Sequence, residues 1–321
     1  MERFVLKDKL QILLITYNRK RYLKETFEQI FAESSPIRDF DITVLDNAST
    51  DGTSELIQEY KQKFQNIEHI RHQTNIGGNA NICRAIELAL VKNKEYFWIL
   101  CDDDYFNFQD WNDVEKGVNN QKDIIVVSHV QKTENVNKYN IINELTFVPS
   151  AIYKTSVINE TVILNAYMNI YNTYPHSAIV CYLINKGELN FSVINQQIVV
   201  QNWYRTILDF QKGTDAKFLH HKQKHIEYMV AFINTYKMIN DKKYRYKCNE
   251  NLWLGKSFFY SAYRVWQKNK DYFPNLLDFF LGISFAQKIQ FILVPIFGPV
   301  YYKLKYICKF LYLSIVTDII K

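Results

Sequence analysis

Between residues 10 and 130 the chain switches repeatedly between short apolar runs and longer amphipathic stretches. "LQILLIT" (10–16), "DITVLD" (41–46), "IEHIR" (67–71), "YFWILC" (96–101) and "DIIVVSHV" (123–130) have the length and β-rich composition of strands. "KRYLKETFEQIFAES" (20–34), "DGTSELIQEYKQKF" (51–64) and "NANICRAIELALVK" (79–92) read as helices, the second opened by an N-cap at Asp51 or Thr53. Strands alternating with helices imply crossover units, hence an α/β fold with a mostly parallel sheet and flanking helices. After about residue 145 the rhythm changes. "TFVPSAIYKTSVI" (146–158) and "LNFSVINQQIVVQNWY" (189–204) read as strand-plus-helix additions around the sheet. From about residue 215 the pattern is mainly helical to the end, and turn residues in "TILDFQKGTDAKF" mark a boundary near 205–215. The expected organisation is a sheet domain over 1–210, with halves 1–130 and 131–210, then a helical C-terminal region over 211–321.

Composition narrows this little. The 321 residues are 48% hydrophobic and 22% charged, which is globular composition rather than disorder. A net charge of +6 permits an acidic partner such as a nucleotide or an anionic membrane without demanding one. The five cysteines, Cys83, Cys101, Cys181, Cys248 and Cys308, contain no CxxC pair. They read as reduced thiols of a cytoplasmic protein, not a disulfide framework or zinc site, and Cys101 as a small core residue. The first residues lack a signal-peptide apolar core. The longest apolar run, 279–302, is broken by Gln287, Lys288, Gln290, Pro295 and Pro299, so no membrane span is expected.

The chemistry gathers where strands end. In an open parallel sheet, ligands bind outside the carboxyl ends of the strands. Those ends carry "TYNR" (Thr16, Tyr17, Asn18, Arg19), "DNASTDGT" (46–53), "HQTNIGGNAN" (72–81) and "DDDY" (Asp102, Asp103, Asp104, Tyr105). Four consecutive strand ends with small polar or acidic residues can form one rim, and each block suits part of a nucleotide-sugar. Asp46 can accept from a base N–H, while Thr16 and Asn18 can hold base or ribose. Gly77 and Gly78 let the backbone approach a ligand, and the helix that follows offers free N–H groups to an anion. Three adjacent carboxylates repel one another unless a cation offsets them. Asp102 and Asp104 suit ribose and a hard divalent cation, Mg²⁺ or Mn²⁺, completed by a diphosphate. Alone, "DDD" is most often a solvated turn, "DNASTDGT" a helix cap and "NIGGNAN" a glycine turn that is neither a P-loop nor a dinucleotide fingerprint. Their shared register is what favours a site.

Residues 10–130 resemble a family 2 glycosyltransferase with a GT-A fold. "ITYNR", "VLDNASTDGT", "NIGGNANICRAIELA" and "DDD" fall in that family's order and spacing. The resemblance implies inverting transfer of a sugar from a nucleotide-sugar, with 1–130 as the donor half and 131–210 as the acceptor half. It implies that Asp46 contacts the base, that Asp102 and Asp104 form the "DxD" site, and that Asp104 ligates the metal. Asn75, Gly77, Asn79, Asn81 and Arg84 match the segment that closes over diphosphate and sugar, although Arg84 suits a solvated helix face equally well. "TFVPSAIYK" and "NTYPHSAIVCYLI" resemble the acceptor side of one bacterial subgroup, more weakly.

An inverting transfer needs a general base. The family usually supplies an acid downstream of the "DxD", but residues 131–190 hold few: Glu134, Glu144, Glu160 and Glu188, none in a recognisable motif. His176 is therefore a candidate for the base, an acceptor contact or a third metal ligand; a lone His beside Pro175 is more often structural. The resulting expectation is an enzyme moving a sugar, from UDP most simply, to a saccharide or lipid-linked glycan of a bacterial surface polysaccharide. The alternatives are a nucleotidyltransferase, disfavoured because "ITYNRKRY" lacks glycine, and a non-catalytic glycan- or membrane-binding protein with the same fold. Residues 282–321 interleave five lysines with aromatics against the one acid Asp318. That pattern suits peripheral attachment to an anionic membrane at the cytoplasmic face of the inner membrane. It equally suits packing on the core or on a second subunit of a homo-oligomer. No nucleic-acid-binding module is visible.

Overall fold

The computed structural model describes residues 6–129, 133–172, 174–202, 231 and 234–250. The chain divides into two compact units, residues 1–212 with 234–248, and residues 213–233 with 249–321. The second unit, and with it the 282–321 tail, lies almost wholly outside the described residues. The first unit takes in residues 234–248 besides 1–212.

A four-residue helix α1 (Leu6–Lys9) leads into β1 (Leu10–Thr16). Then follow α2 (Lys20–Ile30), β2 (Ile42–Asp46), α3 (Thr53–Lys63), β3 (Ile67–Arg71), α4 (Gly78–Lys92) and β4 (Tyr96–Cys101). All seven elements expected over 10–101 form, each close to its expected bounds. β1, β2 and β4 are buried almost throughout, because helices cover both faces of the sheet. The one-sided spacing of α2 explains its seat: Leu23, Phe27 and Ile30 share a face and are fully buried. Trp98 anchors the centre, its indole N–H donating to the Pro149 carbonyl at 2.8 Å.

The seven-stranded sheet has the order β3-β2-β1-β4-β7-β6-β8. Its first four strands are parallel and in register. Thr16 lies beside Asp46, Asp46 beside Arg71, and Ile15 beside Cys101. The carboxyl ends therefore finish on one line, as the rim requires. The second half departs from a purely parallel reading. β7 (Ala151–Lys154) runs antiparallel to both β4 and β6 (Ile124–Val126), while β8 (Phe191–Val193) is parallel to β6. β6 is shorter than the 123–130 run suggests. Beyond Val126 the amides of Val127 and Ser128 both donate to the Ser150 carbonyl, at 2.7 and 3.1 Å, which takes them out of the ladder.

A two-stranded ribbon, β5 (Tyr105–Phe106) and β9 (Val199–Val200), closes over the end of β4. Between lie α5 (Trp111–Asn119), α6 (Ile141–Glu144), α7 (Glu160–Met168) and α8 (Ser177–Lys186), and α9 (Lys242–Glu250) follows. The four described cysteines are free, as expected.

Candidate functional site

The acid triplet follows β4, and α2 fixes it from one side. The Thr26 hydroxyl donates to the Asp102 carbonyl at 2.9 Å, and the Gln29 amide to the Asp104 carbonyl at 3.3 Å. Gln29 also accepts from the Phe106 amide at 3.0 Å, so one side chain sets the path of the backbone leaving the triplet. The three side chains then diverge. Asp102 accepts from Thr16 Oγ1 at 2.6 Å and from the Arg19 guanidinium at 3.2 Å. Asp103 pairs with the same guanidinium at 2.5 Å. Asp104 Oδ1 accepts only a long 3.4 Å bond from the Asn202 amide, and Asp104 Oδ2, although buried, accepts none.

Electrostatics follow this geometry. Burial raises Asp104 to about 8, with the neighbouring Asp103 charge adding to it. Burial likewise raises Asp102, but Arg19 and Thr16 pull it back, leaving it at about 6. Arg19 is held above its ordinary value: burial works against it, and Asp102 and Asp103 outweigh that. Arg19 thus pairs with two carboxylates, and its charge offsets the third only weakly. Asp104, with an open oxygen, has the donor chemistry for a hard divalent cation. Among the described residues no group of three His, Cys, Asp or Glu side chains is arranged to hold a metal alone. Ligand and water oxygens would have to complete the shell, which fits a diphosphate-bridged ion.

The β2 end is built differently from the expectation. Asp46 has no exposed surface. Its carboxylate accepts from the Ser49 amide at 2.8 Å and the Ser54 hydroxyl at 2.7 Å, with His69 Nε2 at 3.5 Å and Arg71 Nε at 3.6 Å. Burial alone would raise this acid, yet the bonds from His69, Ser49 and Ser54 hold it well below the usual carboxylate range. Asp46 therefore organises the turn, its carboxylate engaged by these protein groups. Asn18 is also committed to protein: its Oδ1 accepts from the Thr50 amide at 2.7 Å, and its own amide donates to Ser49 Oγ at 2.9 Å. The N-cap of α3 is Gly52, not Asp51 or Thr53 as expected, because the left-handed backbone there suits glycine; Asp51 just ahead of it accepts from the Thr53 amide at 3.1 Å. Tyr17 stands exposed beside this loop.

At the β3 end, Asn75 Oδ1 accepts from Asn47 Nδ2 at 2.9 Å and from the Gly77 amide at 2.8 Å. Asn47 Oδ1 accepts from the Ile76 amide at 2.9 Å. Gly77 has φ +88°, ψ 153°, a conformation closed to residues with a Cβ, and the space above both Gly77 and Gly78 is open. Asn79 reaches the Ile170 carbonyl at 2.7 Å, while Asn81 is buried against Leu45 and His72. Arg84 pairs with Glu87 on the outer face of α4. Asn79, Asn81 and Arg84 thus brace the segment, and Gly77 and Gly78 are the positions open to a ligand.

His176 does not join the rim. It is 1% exposed, and its Nε2 donates to the Leu145 carbonyl at 2.7 Å. Burial lowers it to about 4, so it is neutral. A sequestered ring bonded to main chain does not present a base to an acceptor, and the expected role does not fit this arrangement. Gln29, Thr26, Asn47 and Asn202 were missed by sequence reasoning. Asn47 lies within a conspicuous block. The other three act through backbone contacts at long separation, which leave no local pattern. A cavity of about 310 Å³ opens at the opposite, amino ends of the strands. Its charges are mutually paired (Lys92–Glu68, 2.5 Å; Lys94–Asp41, 2.6 Å), and it is separate from the rim.

The family model described as Glycosyl transferase family 2 matches residues 11–181, more than half of the chain. The chain belongs to glycosyl transferase family 2. Within this family it is 38% identical over 90 residues to the abequosyltransferase RfbV of Salmonella typhimurium, covering 28% of this chain and 26% of that one. It is 23% identical over 266 residues to a poly(ribitol-phosphate) beta-glucosyltransferase of Bacillus spizizenii, covering 71% of this chain and 40% of that one. The chain thus spans well under half the length of these curated family 2 relatives. Among solved structures, S. aureus TarS 1–349 in complex with UDP superposes with a TM-score of 0.57 at 17% identity, covering 86% of this chain and 81% of that one. That likeness supports the GT-A fold of this family 2 member.

Proposed function

We propose that this protein transfers a sugar from a nucleoside-diphosphate donor, a UDP-sugar, to a glycan of the bacterial cell surface, with inversion and with Mg²⁺ or Mn²⁺. The observation that carries the reading is the in-register rim in which the buried Asp104 Oδ2 accepts no hydrogen bond. Family membership and the TarS fold, solved with UDP and with UDP-GlcNAc, support it. The names of the relatives support a surface-glycan acceptor, one of them a phosphate-linked polymer.

In this reading Asp104, with Asp102 beside it, holds the metal, which would offset the charge of the departing diphosphate. Arg19 fixes Asp102 and Asp103 so that the triplet is preorganised before the donor arrives. The open backbone at Gly77 and Gly78 and the following amides of α4 receive the anionic part of the donor. Asn47 and Asn75 hold that loop against the β2 turn. The base that activates the acceptor hydroxyl is not assigned. Attachment to an anionic membrane through residues 282–321 belongs to the same reading; among the described residues no helix is long and apolar enough to cross a membrane.

A panel of nucleotide-sugars tests this by slow donor hydrolysis. Release of nucleoside diphosphate from one UDP-sugar, abolished by EDTA, is expected. No release from any donor would leave a non-catalytic binding protein.

A further inference from the structure

Away from the rim, α9 meets the loop before α6 in a cluster of aromatic and basic side chains. The Tyr139 and Tyr244 rings lie 5.0 Å apart, and the Tyr244 hydroxyl donates to the Lys138 carbonyl. Two ammonium groups flank Tyr139, Lys138 Nζ at 5.2 Å and Lys247 Nζ at 4.9 Å from its centroid. Lys242 and Lys243 stand exposed along the same helix, with Arg245 partly exposed. The nearby acid, Asp241, is engaged as a cap, accepting from the Lys243 amide at 2.7 Å. Among the described residues no ion pair joins Lys138, Lys242, Lys243 or Arg245 to a carboxylate. Asp241 offsets part of this charge, and the excess of exposed cations raises the local potential and favours an anionic partner.

We propose that this face, Lys138 and Tyr139 with Lys242, Lys243, Tyr244 and Lys247, is a holding surface for an anionic glycan, the phosphate-bearing acceptor chain. It rests on the glycosyltransferase reading and adds the charge class of the acceptor. The tyrosine pair is a platform on which a sugar ring can stack, and the lysines around it suit phosphodiester oxygens. An anionic membrane is the competing occupant. Among the described residues none of the large apolar side chains that stand exposed lies on α9 or the loop before α6, and the two tyrosines here are half-buried. Half-buried rings surrounded by exposed ammonium groups suit a discrete charged chain better than a bilayer.

The test uses full-length protein and the variant Lys138→Glu/Lys243→Glu. Both side chains project outward, and the Lys138 atom that receives the Tyr244 hydroxyl is its carbonyl, so the fold should hold, checked by thermal midpoint. Poly(ribitol phosphate), neutral dextran and phosphatidylglycerol–phosphatidylcholine vesicles are titrated at low and physiological salt. Wild type should bind poly(ribitol phosphate), weaken with salt and ignore dextran, and the double variant should lose at least about fivefold in affinity, as two reversed surface charges imply. Vesicle binding and donor hydrolysis should be unchanged. Equal polymer binding by both proteins, or dextran bound as well as the polymer, overturns the proposal. Loss of vesicle binding alone would make the face a membrane contact and also overturns it. Loss of donor hydrolysis by wild type would instead strike the enzymatic reading.

Discussion

Asp104 and His176 show how burial acts on an acid and on a base. The Asp104 carboxyl is held at about 8 by burial. An acid whose folded value is raised costs nothing below its ordinary range near 4, and it destabilises the fold progressively as pH rises to about 8. In metal-free buffer Asp104→Asn should therefore melt at a higher temperature than wild type, by a margin that widens from pH 5 to 8. Transfer should be abolished. A variant that melts lower at pH 8 contradicts the burial argument. His176 has the opposite sign. Its folded value of about 4 lies below the ordinary histidine value, so its contribution is present above about 6.5 and lost as pH falls towards 4. His176→Leu should flatten that acid-side loss while costing about 1–3 kcal/mol at neutral pH for the orphaned Leu145 carbonyl, read by urea unfolding. An acid limb identical to wild type would place the titration elsewhere.

At the scale of elements, the turns after β2 and β3 behave as small machines of hydrogen bonds. Asp46→Ala strips acceptors from the Ser49 amide and Ser54 hydroxyl, and should cost about 1–3 kcal/mol of stability in denaturant unfolding before any effect on donor affinity is considered. A variant as stable as wild type, with only donor binding lost, would restore the direct base contact. Gly77 and Gly78 separate conformation from space. Gly77→Ala forces a backbone strain of about 1–3 kcal/mol, whereas Gly78→Ala meets no atom within 4 Å and should leave stability unchanged while weakening donor binding. Equal melting of the two variants would contradict this division. These elements were legible in the sequence because alternating apolar runs and turn residues are local signals. Strand ends placed the rim correctly, but which way Asp46 and Asn18 point was not legible. That depends on Ser49, Ser54, Thr50 and Arg71 competing for the same oxygens. Asn202, which arrives at Asp104 from 98 residues away, leaves no trace in any local window.

For the whole molecule, the first four strands supply one rim, the antiparallel β7 extends the sheet beyond β4, and the β5–β9 ribbon follows the acid triplet. The sequence anticipated a mostly parallel sheet. It did not anticipate the direction of β7, because a short apolar run looks alike in either orientation. The C-terminal lysine–aromatic pattern lies outside the described residues, and it carries its own test. Full-length protein should float with phosphatidylglycerol vesicles, and a chain ending near residue 281 should not; flotation of both alike would remove the tail from membrane attachment. The central claim is that the strand-end rim holds a nucleoside diphosphate through a metal on Asp104, and calorimetric titration of UDP addresses it most directly. With Mn²⁺ present wild type should bind UDP, and affinity should fall at least about tenfold both in EDTA and in Asp104→Asn, the loss of one charge-assisted ligand interaction. The same affinity in all three would contradict the account.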